Sequence, residues 1–194
     1  MMMYESVEQE GVMRRAGRSL SGSDVLRNYY FIRAAVAAAW VVAAFTVGKT
    51  SLAATALLIA YPAWDAVANL FDISRNGGAA RNLPQTLNVA VSGLAAVAVA
   101  AASANMNAVL GVFGAWAILA GLMQLATGVR RWKAFGAQWT MILSGAQSTL
   151  AGAFFISRSF GNGVPSIRDV AGYAAFGAFY FSLSALWLLF RRKA

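Results

Sequence analysis

The chain has 194 residues, 59% of them hydrophobic and 12% charged, with a net charge of +9 and neither Cys nor His. Soluble domains carry about 25% charged and about 45–50% apolar residues, so an ordinary soluble domain is excluded; without Cys and His, disulfides, thiolate chemistry and most transition-metal or haem sites go too. The basic residues stand at the ends of apolar blocks, which reads as membrane topology and phospholipid contact, not as nucleic-acid binding.

Residues 1–28 are polar and mixed in charge, with Arg14, Arg15, Arg18 and Arg27 in the second half. They read as a mobile, basic cytoplasmic tail, with Ser23-Asp24 capping a turn into the first span and Tyr29 and Tyr30 at the aromatic belt. Six apolar blocks follow, at 29–47, 51–71, 86–103, 107–128, 138–157 and 169–190. Each is close to the ~20 residues that cross ~30 Å of hydrocarbon. Runs such as 34–45 do not alternate, which speaks against a β-barrel. Residues 29–190 therefore form the transmembrane domain, and 191–194 a basic cytoplasmic end.

The connections alternate in character. Gly48-Lys49-Thr50 and Ser103-Ala104-Asn105 are tight turns; 72–85 and 129–137 are longer and basic; 158–168 contains Gly and Pro and reads as an exposed loop. With the N-terminus inside, thirteen Lys and Arg residues fall on the cytoplasmic side and three (Lys49, Arg158, Arg168) outside. The positive-inside rule then places both termini in the cytoplasm.

Spans 2, 4 and 6 share a local motif. Tyr61-Pro62-Ala63-Trp64, Phe113-Gly114-Ala115-Trp116 and Phe176-Gly177-Ala178-Phe179 each read aromatic, Gly or Pro, Ala, aromatic. The first two copies are 52 residues apart, as are Ser92-Gly93 and Ser144-Gly145. The fold expected is all-α: a polytopic membrane protein with six transmembrane helices arranged as three tandem hairpins of parallel topology. The aromatics Tyr61, Trp64, Phe113, Trp116, Phe176 and Phe179 are expected to serve helix packing, beside small residues that let backbones approach. The stretch 113–152, two apolar arms around Arg130-Arg131-Trp132-Lys133, then joins the second hairpin to the third.

On Gly121-Leu122-Met123-Gln124, the basic turn after it, and Leu143-Ser144-Gly145 followed by Gly152, the chain resembles the HdeD-type family of bacterial inner-membrane proteins. The resemblance is fair over 106–190 and thinner over 29–100. It implies a six-helix protein of the bacterial cytoplasmic membrane, some of whose relatives are associated with acid resistance. Ala100 stands where the pattern has Gly, and span 1 lacks the Ser-Gly pair.

Asp65 is the deepest acid, inside span 2, and Arg33 enters span 1 on the neighbouring helix. A mid-helix Asp costs about 2.5–3.5 kcal/mol on insertion scales, so its partner matters. In one reading Arg33 and Asp65 form a buried pair that fixes the register of the first hairpin. In the other, Arg33 snorkels to the headgroups while Asp65 bonds Asn69 or the backbone. Gln124, Gln147, Asn88 and Ser144 are further candidates for bonds between helices. Gly48-Lys49-Thr50 resembles the end of a phosphate-binding loop, but Ala43 stands where the first Gly belongs.

No catalytic residue, metal or cofactor is expected. The first functional expectation, from the resemblance, is a non-enzymatic membrane protein of acid or envelope stress tolerance. With no His and seven carboxylates, acidification changes few charges. The alternatives are a small transporter or channel using the polar site around Asp65, and a scaffold that recruits a partner through the basic tail. The partners expected are the bilayer and anionic phospholipids at the cytoplasmic face, with a homo-oligomer left open. Alkaline phosphatase fused after Lys193 is expected to be inactive; strong activity there would sink the orientation.

Overall fold

The structure, a computed structural model, describes residues 2–48, 51–130, 132 and 138–190, with side chains from residue 24 onward save that of residue 51. It is all-α among these residues. The helices are α1 (Met2–Thr46), α2 (Ser51–Arg75), α3 (Leu83–Ala102), α4 (Met106–Arg130), α5 (Gln138–Ser159) and α6 (Ile167–Phe190), with a 3-10 turn at Ala79–Arg81. Each expected span lies on one helix. Lys49, Arg131, Lys133 and the basic end 191–194 lie outside the described residues, as do the side chains of Arg14, Arg15 and Arg18.

One difference is at the start. Residues expected as a mobile tail form helical backbone continuous with the first span. No Pro interrupts this stretch, and Asp24, expected as part of a cap, instead pairs with Arg27 at 2.8 Å within the helix.

Five helices are long and apolar enough to cross a membrane: Asp24–Thr46 within α1, Leu52–Arg75 within α2, and all of α3, α4 and α6. The exception, α5, has 22 residues and so a rise of about 33 Å, long enough. Its hydropathy is low because it carries Gln138, Thr140, Ser144, Gln147, Ser148 and Thr149. It lies against α4 from end to end, since Gly111 approaches Ser159 and Gly128 approaches Gln138.

That α4–α5 contact is the most intimate in the molecule. Gly114, Gly121 and Gly128 recur every seventh residue on α4, and Gly145 and Gly152 do so on α5. A Cβ at Gly121 would sit 2.6 Å from the Gly145 carbonyl oxygen, and one at Gly152 would sit 2.5 Å from that of Gly114. Without Cβ atoms the backbones close to van der Waals contact, the main attraction left to helices in a solvent as apolar as they are. A seven-residue recurrence keeps one seam facing one neighbour. The other close pairs follow the same period. α1 buries Tyr30, Ala37 and Ala44 on its side toward α6; α2 and α3 bury Leu58, Asp65 and Asp72 against Gln85, Ser92 and Val99.

The closest pairs are thus α4 with α5, α1 with α6 and α2 with α3, while α1–α2 and α5–α6 touch only lightly. The helices expected as hairpins are neighbours, but the densest seams fall between them. The six close into a ring through α1 and α6.

Asn105 starts α4, its Oδ1 accepting the N–H groups of Asn107 (3.0 Å) and Ala108 (3.2 Å). Gly77 and Gly78, with φ of 88° and 86°, make the turn out of α2. The side chain of Asn82 holds it, donating to the carbonyls of Asn76 (2.7 Å) and Gly78 (3.0 Å). The loop 160–166 is exposed except at Pro165, with Phe160 and Val164 largely uncovered.

The glycine seam is testable by contrast. Gly121→Ala is expected to lower stability by about 1–3 kcal/mol, the usual cost of overpacking. Gly93→Ala, where a Cβ would meet nothing within 4 Å, is expected to be neutral or to stabilise by up to about 1 kcal/mol through helix propensity. Unfolding in mixed micelles measures both; equal effects would refute the seam.

Candidate functional site: a buried carboxylate at the wall of a cavity

Asp65 is buried on the α2–α3 seam. A carboxylate there has lost its water and must gather donors from the protein. Arg33 Nη2 from α1 donates to Oδ1 and forms the ion pair. Oδ2 accepts from Asn88 Nδ2 (2.8 Å), Ser92 Oγ (2.9 Å) and Asn69 Nδ2 (3.1 Å). Trp116 Nε1 of α4 donates to Ser92 Oγ at 2.9 Å, which leaves the hydroxyl proton free to point at Asp65. Every neighbour is a donor, so both carboxylate oxygens are taken up as acceptors.

Arg33 is held on its other sides. Its Nη1 donates to Tyr29 Oη at 2.9 Å, and its guanidinium lies 4.3 Å from the centre of the Phe181 ring on α6. Such cation–π contact strengthens when desolvated. Tyr29 in turn stacks on Phe71.

The structure therefore brings Arg33, Asp65 and Asn69 together, and both sequence readings meet in it: Asp65 bonds Arg33 and Asn69 at once. Asn88 makes the interhelical bond expected of it, to Asp65 itself. Gln124, Gln147 and Ser144 do not; they face the cavity described below and have no hydrogen-bond partner among the described residues.

The aromatic motif divides. Tyr61 and Trp116 belong to an interior layer in which Tyr61, Trp116 and Tyr173 stand 5.8–6.2 Å apart, centre to centre. Trp40, Phe113 and Phe155 extend it. Trp64 lines the cavity. Phe176 and Phe179 are both exposed, with Phe176 also at the edge of the cavity; α6 spends its inner face on α1. Tyr173, one turn before Phe176, takes the interior place instead. Its hydroxyl bonds Ser148 Oγ at 2.9 Å. Tyr173, Phe181 and the linking role of Ser92 are not evident from the sequence; the one available signal is that Asn88 and Ser92 stand a turn apart on one face.

Pro62 sits inside α2 without an N–H, a disruption neighbouring helices often compensate. Trp40 Nε1 of α1 donates at 2.7 Å to the carbonyl of Leu57, the residue before Leu58, whose carbonyl Pro62 leaves without its helical donor.

Between these elements lies a cavity of about 360 Å³, lined by all six helices. That is within the range of small-molecule sites. The Arg33–Asp65 network and Gln85 form one wall, Ser144 and Gln147 of α5 the opposite one, and the aromatic layer lines it as well. It extends between α5 and α6 to Phe154 and Gly172, where those helices pack loosely. A hydroxyl contact, Thr140 to Ser184 at 2.8 Å, is among the few bonds across that seam.

Five spanning helices, with a sixth packed along one of them, make the chain a multi-pass helical membrane protein whose bundle holds a largely apolar cavity with polar side chains on its walls. Residues 89–157 match the family described as "Short repeat of unknown function (DUF308)". The match runs over most of α3, all of α4 and most of α5, and so includes the glycine seam. At that coarse level it agrees with the HdeD-type resemblance. No curated protein and no solved structure matches the chain.

The ion pair is testable by a cycle. Asp65→Asn or Arg33→Gln alone leaves a buried charge without its partner, at an expected cost of about 3–5 kcal/mol. The double variant is expected to be more stable than at least one of the singles. Strictly additive losses in detergent unfolding would show that the pair has no coupling.

Proposed function

We propose that this is a non-enzymatic protein of the bacterial cytoplasmic membrane, of the HdeD type, that takes small solutes into the cavity of its six-helix bundle. Both termini lie in the cytoplasm on this reading, and the basic ends of the helices meet anionic headgroups. The observation that carries it is the cavity itself, an interior space of about 360 Å³ with polar side chains on its walls, in a bundle whose α4–α5 seam is closed to backbone contact by glycines. A bundle needing only to span the membrane gains nothing from a hollow that keeps unpartnered polar groups among apolar walls, since such groups are costly there.

Asp65 serves this site as a support. Its oxygens are occupied by Arg33, Asn69, Asn88 and Ser92, so it is poorly placed to take and release a proton or ion. The groups free to meet a solute are Gln124, Gln147 and Ser144. The same commitment favours a non-enzymatic role, since the deep carboxylate has no free edge for acid–base work. Acid or envelope stress is the setting suggested by the HdeD resemblance, with the cavity as the working part.

The chain has no cysteine, so single-cysteine labelling reads the cavity directly. Ser144→Cys and Gln147→Cys are expected to react in membranes with a water-soluble thiosulfonate. Leu150→Cys, whose native side chain is 72% exposed on the outer side of α5, is expected to react slowly or not at all. Unreactive cysteines at 144 and 147 would show that the cavity does not admit solutes from water.

A further inference from the structure

The cavity is not walled equally on all sides. Its lining residues on α1, α2, α3 and α4 are all buried or half-buried. The exposed ones are Phe154 of α5 and Gly172 and Phe176 of α6, on the loosely packed α5–α6 seam. Phe154 and Phe176 are 60% and 54% exposed. The opening is therefore a gap in the side of the bundle.

Its depth decides what it meets. Phe154 and Gly172 stand five residues inside the ends of α5 and α6, about 7 Å along the axis, and Phe176 about 13 Å. The two helices have 22 and 24 residues, little more than ~30 Å of hydrocarbon requires. The gap thus faces acyl chains, not water. Asp169, one turn nearer the helix end, accepts from the Ser166 N–H at 2.7 Å and pairs with Arg158 at 3.3 Å.

Inward from the gap, the α5 wall changes from Phe154, Phe155 and Ala151 to Gln147 and Ser144. Phe154 and Gln147 are about 10 Å apart along the axis. At the deeper level α4 adds Gln124. Gln124, Gln147 and Ser144 have no hydrogen-bond partner among the described residues. A molecule entering by the gap crosses hydrocarbon first and meets polar groups last. The crossing excludes a charged head. The polar end of the path favours a head that can hydrogen-bond over a bare chain.

We propose, resting on the reading of the cavity as a solute site, that it takes an uncharged amphiphile from the bilayer through the gap between α5 and α6. The ligand class is a single alkyl chain with a neutral hydrogen-bonding head. The head lies at Gln147 and Ser144, and the chain runs back past Phe154 and Gly172 toward the acyl region.

1-Octanol, octyl sulfate and octyltrimethylammonium test this, because they share a chain and differ in the charge of the head. Each is added at the same bilayer mole fraction to full-length protein carrying Ser144→Cys in nanodiscs, and the rate of thiosulfonate labelling is read. Octanol is expected to slow labelling saturably, with both ions weaker by about tenfold or more. Gly172→Trp places a large side chain in the gap, where a Cβ meets nothing within 4 Å. It is expected to weaken octanol about fivefold or more, with labelling in the absence of octanol unchanged. Leu150→Trp, on the outer side of α5, is expected to leave octanol protection as it was. Equal protection by either ion, no saturable protection by octanol, or equal effects of the two Trp substitutions would overturn the proposal. A labelled but unprotected Ser144→Cys removes the amphiphile and leaves the cavity reading standing; an unlabelled one removes the cavity reading and this inference with it.

Discussion

A carboxylate inside a helical bundle surrounded by hydrocarbon has to be met by donors from whichever helices can reach it. Asp65 draws Arg33 from α1, Asn69 from its own helix, and Asn88 and Ser92 from α3. Through Ser92 it engages Trp116 of α4, and through Arg33 it engages Phe181 of α6. Five of the six helices are thereby indexed to one side chain. The net stability from such a buried pair is small, because desolvation offsets most of the attraction, whereas losing one partner is costly. What the network supplies is register. A slide of α3 by one turn would take Asn88 and Ser92 away from Oδ2 together and leave the carboxylate short of two donors.

The sixth helix is joined by the opposite device. α5 meets α4 through glycines whose missing Cβ atoms allow backbone contact. The 52-residue displacement relates the two devices: it carries Pro62 to Gly114, Asp65 to Ala117 and Asn69 to Gly121. One copy of the pattern is closed by small residues and van der Waals contact, the other by hydrogen bonds to a charge. Small residues tolerate any neighbour of similar shape. The polar copy tolerates only the neighbours that bring its donors, and this difference gives nearly repetitive helices one arrangement.

The six apolar blocks stand out in the sequence because hydropathy and length act locally, and each falls on one helix. The nearness of Arg33 and Asp65 is legible for a related reason: one deep base and one deep acid on consecutive spans have few other partners. Pairing is not legible. Gly145 and Gly152 show that α5 can approach some helix closely, but nothing in them says whether α4 or α6. Phe176 and Phe179 look like Tyr61 and Trp64 by spacing, yet are largely exposed, because the inner face of a helix is set by its neighbours. The helical backbone of the basic N-terminal segment also escapes a reading by hydropathy, since a charged helix and a charged coil have the same composition.

α5 shows how packing and site depend on one another. Its Gln, Ser and Thr residues lower its hydropathy below that of the other five helices, which would suit a marginal span. In the bundle these residues divide between two uses. Ser148 donates to the Ala117 carbonyl and Thr149 to that of Gly145, tying the helix to α4 and to its own backbone. Ser144 and Gln147 are turned into the cavity instead. The glycine seam holds α5 firmly on one side and so allows the other side to remain loosely packed against α6. A span stabilised on both faces would have no room for a cavity, and one stabilised on neither could not keep polar residues from lipid. The cavity therefore follows from an uneven distribution of contact around one helix.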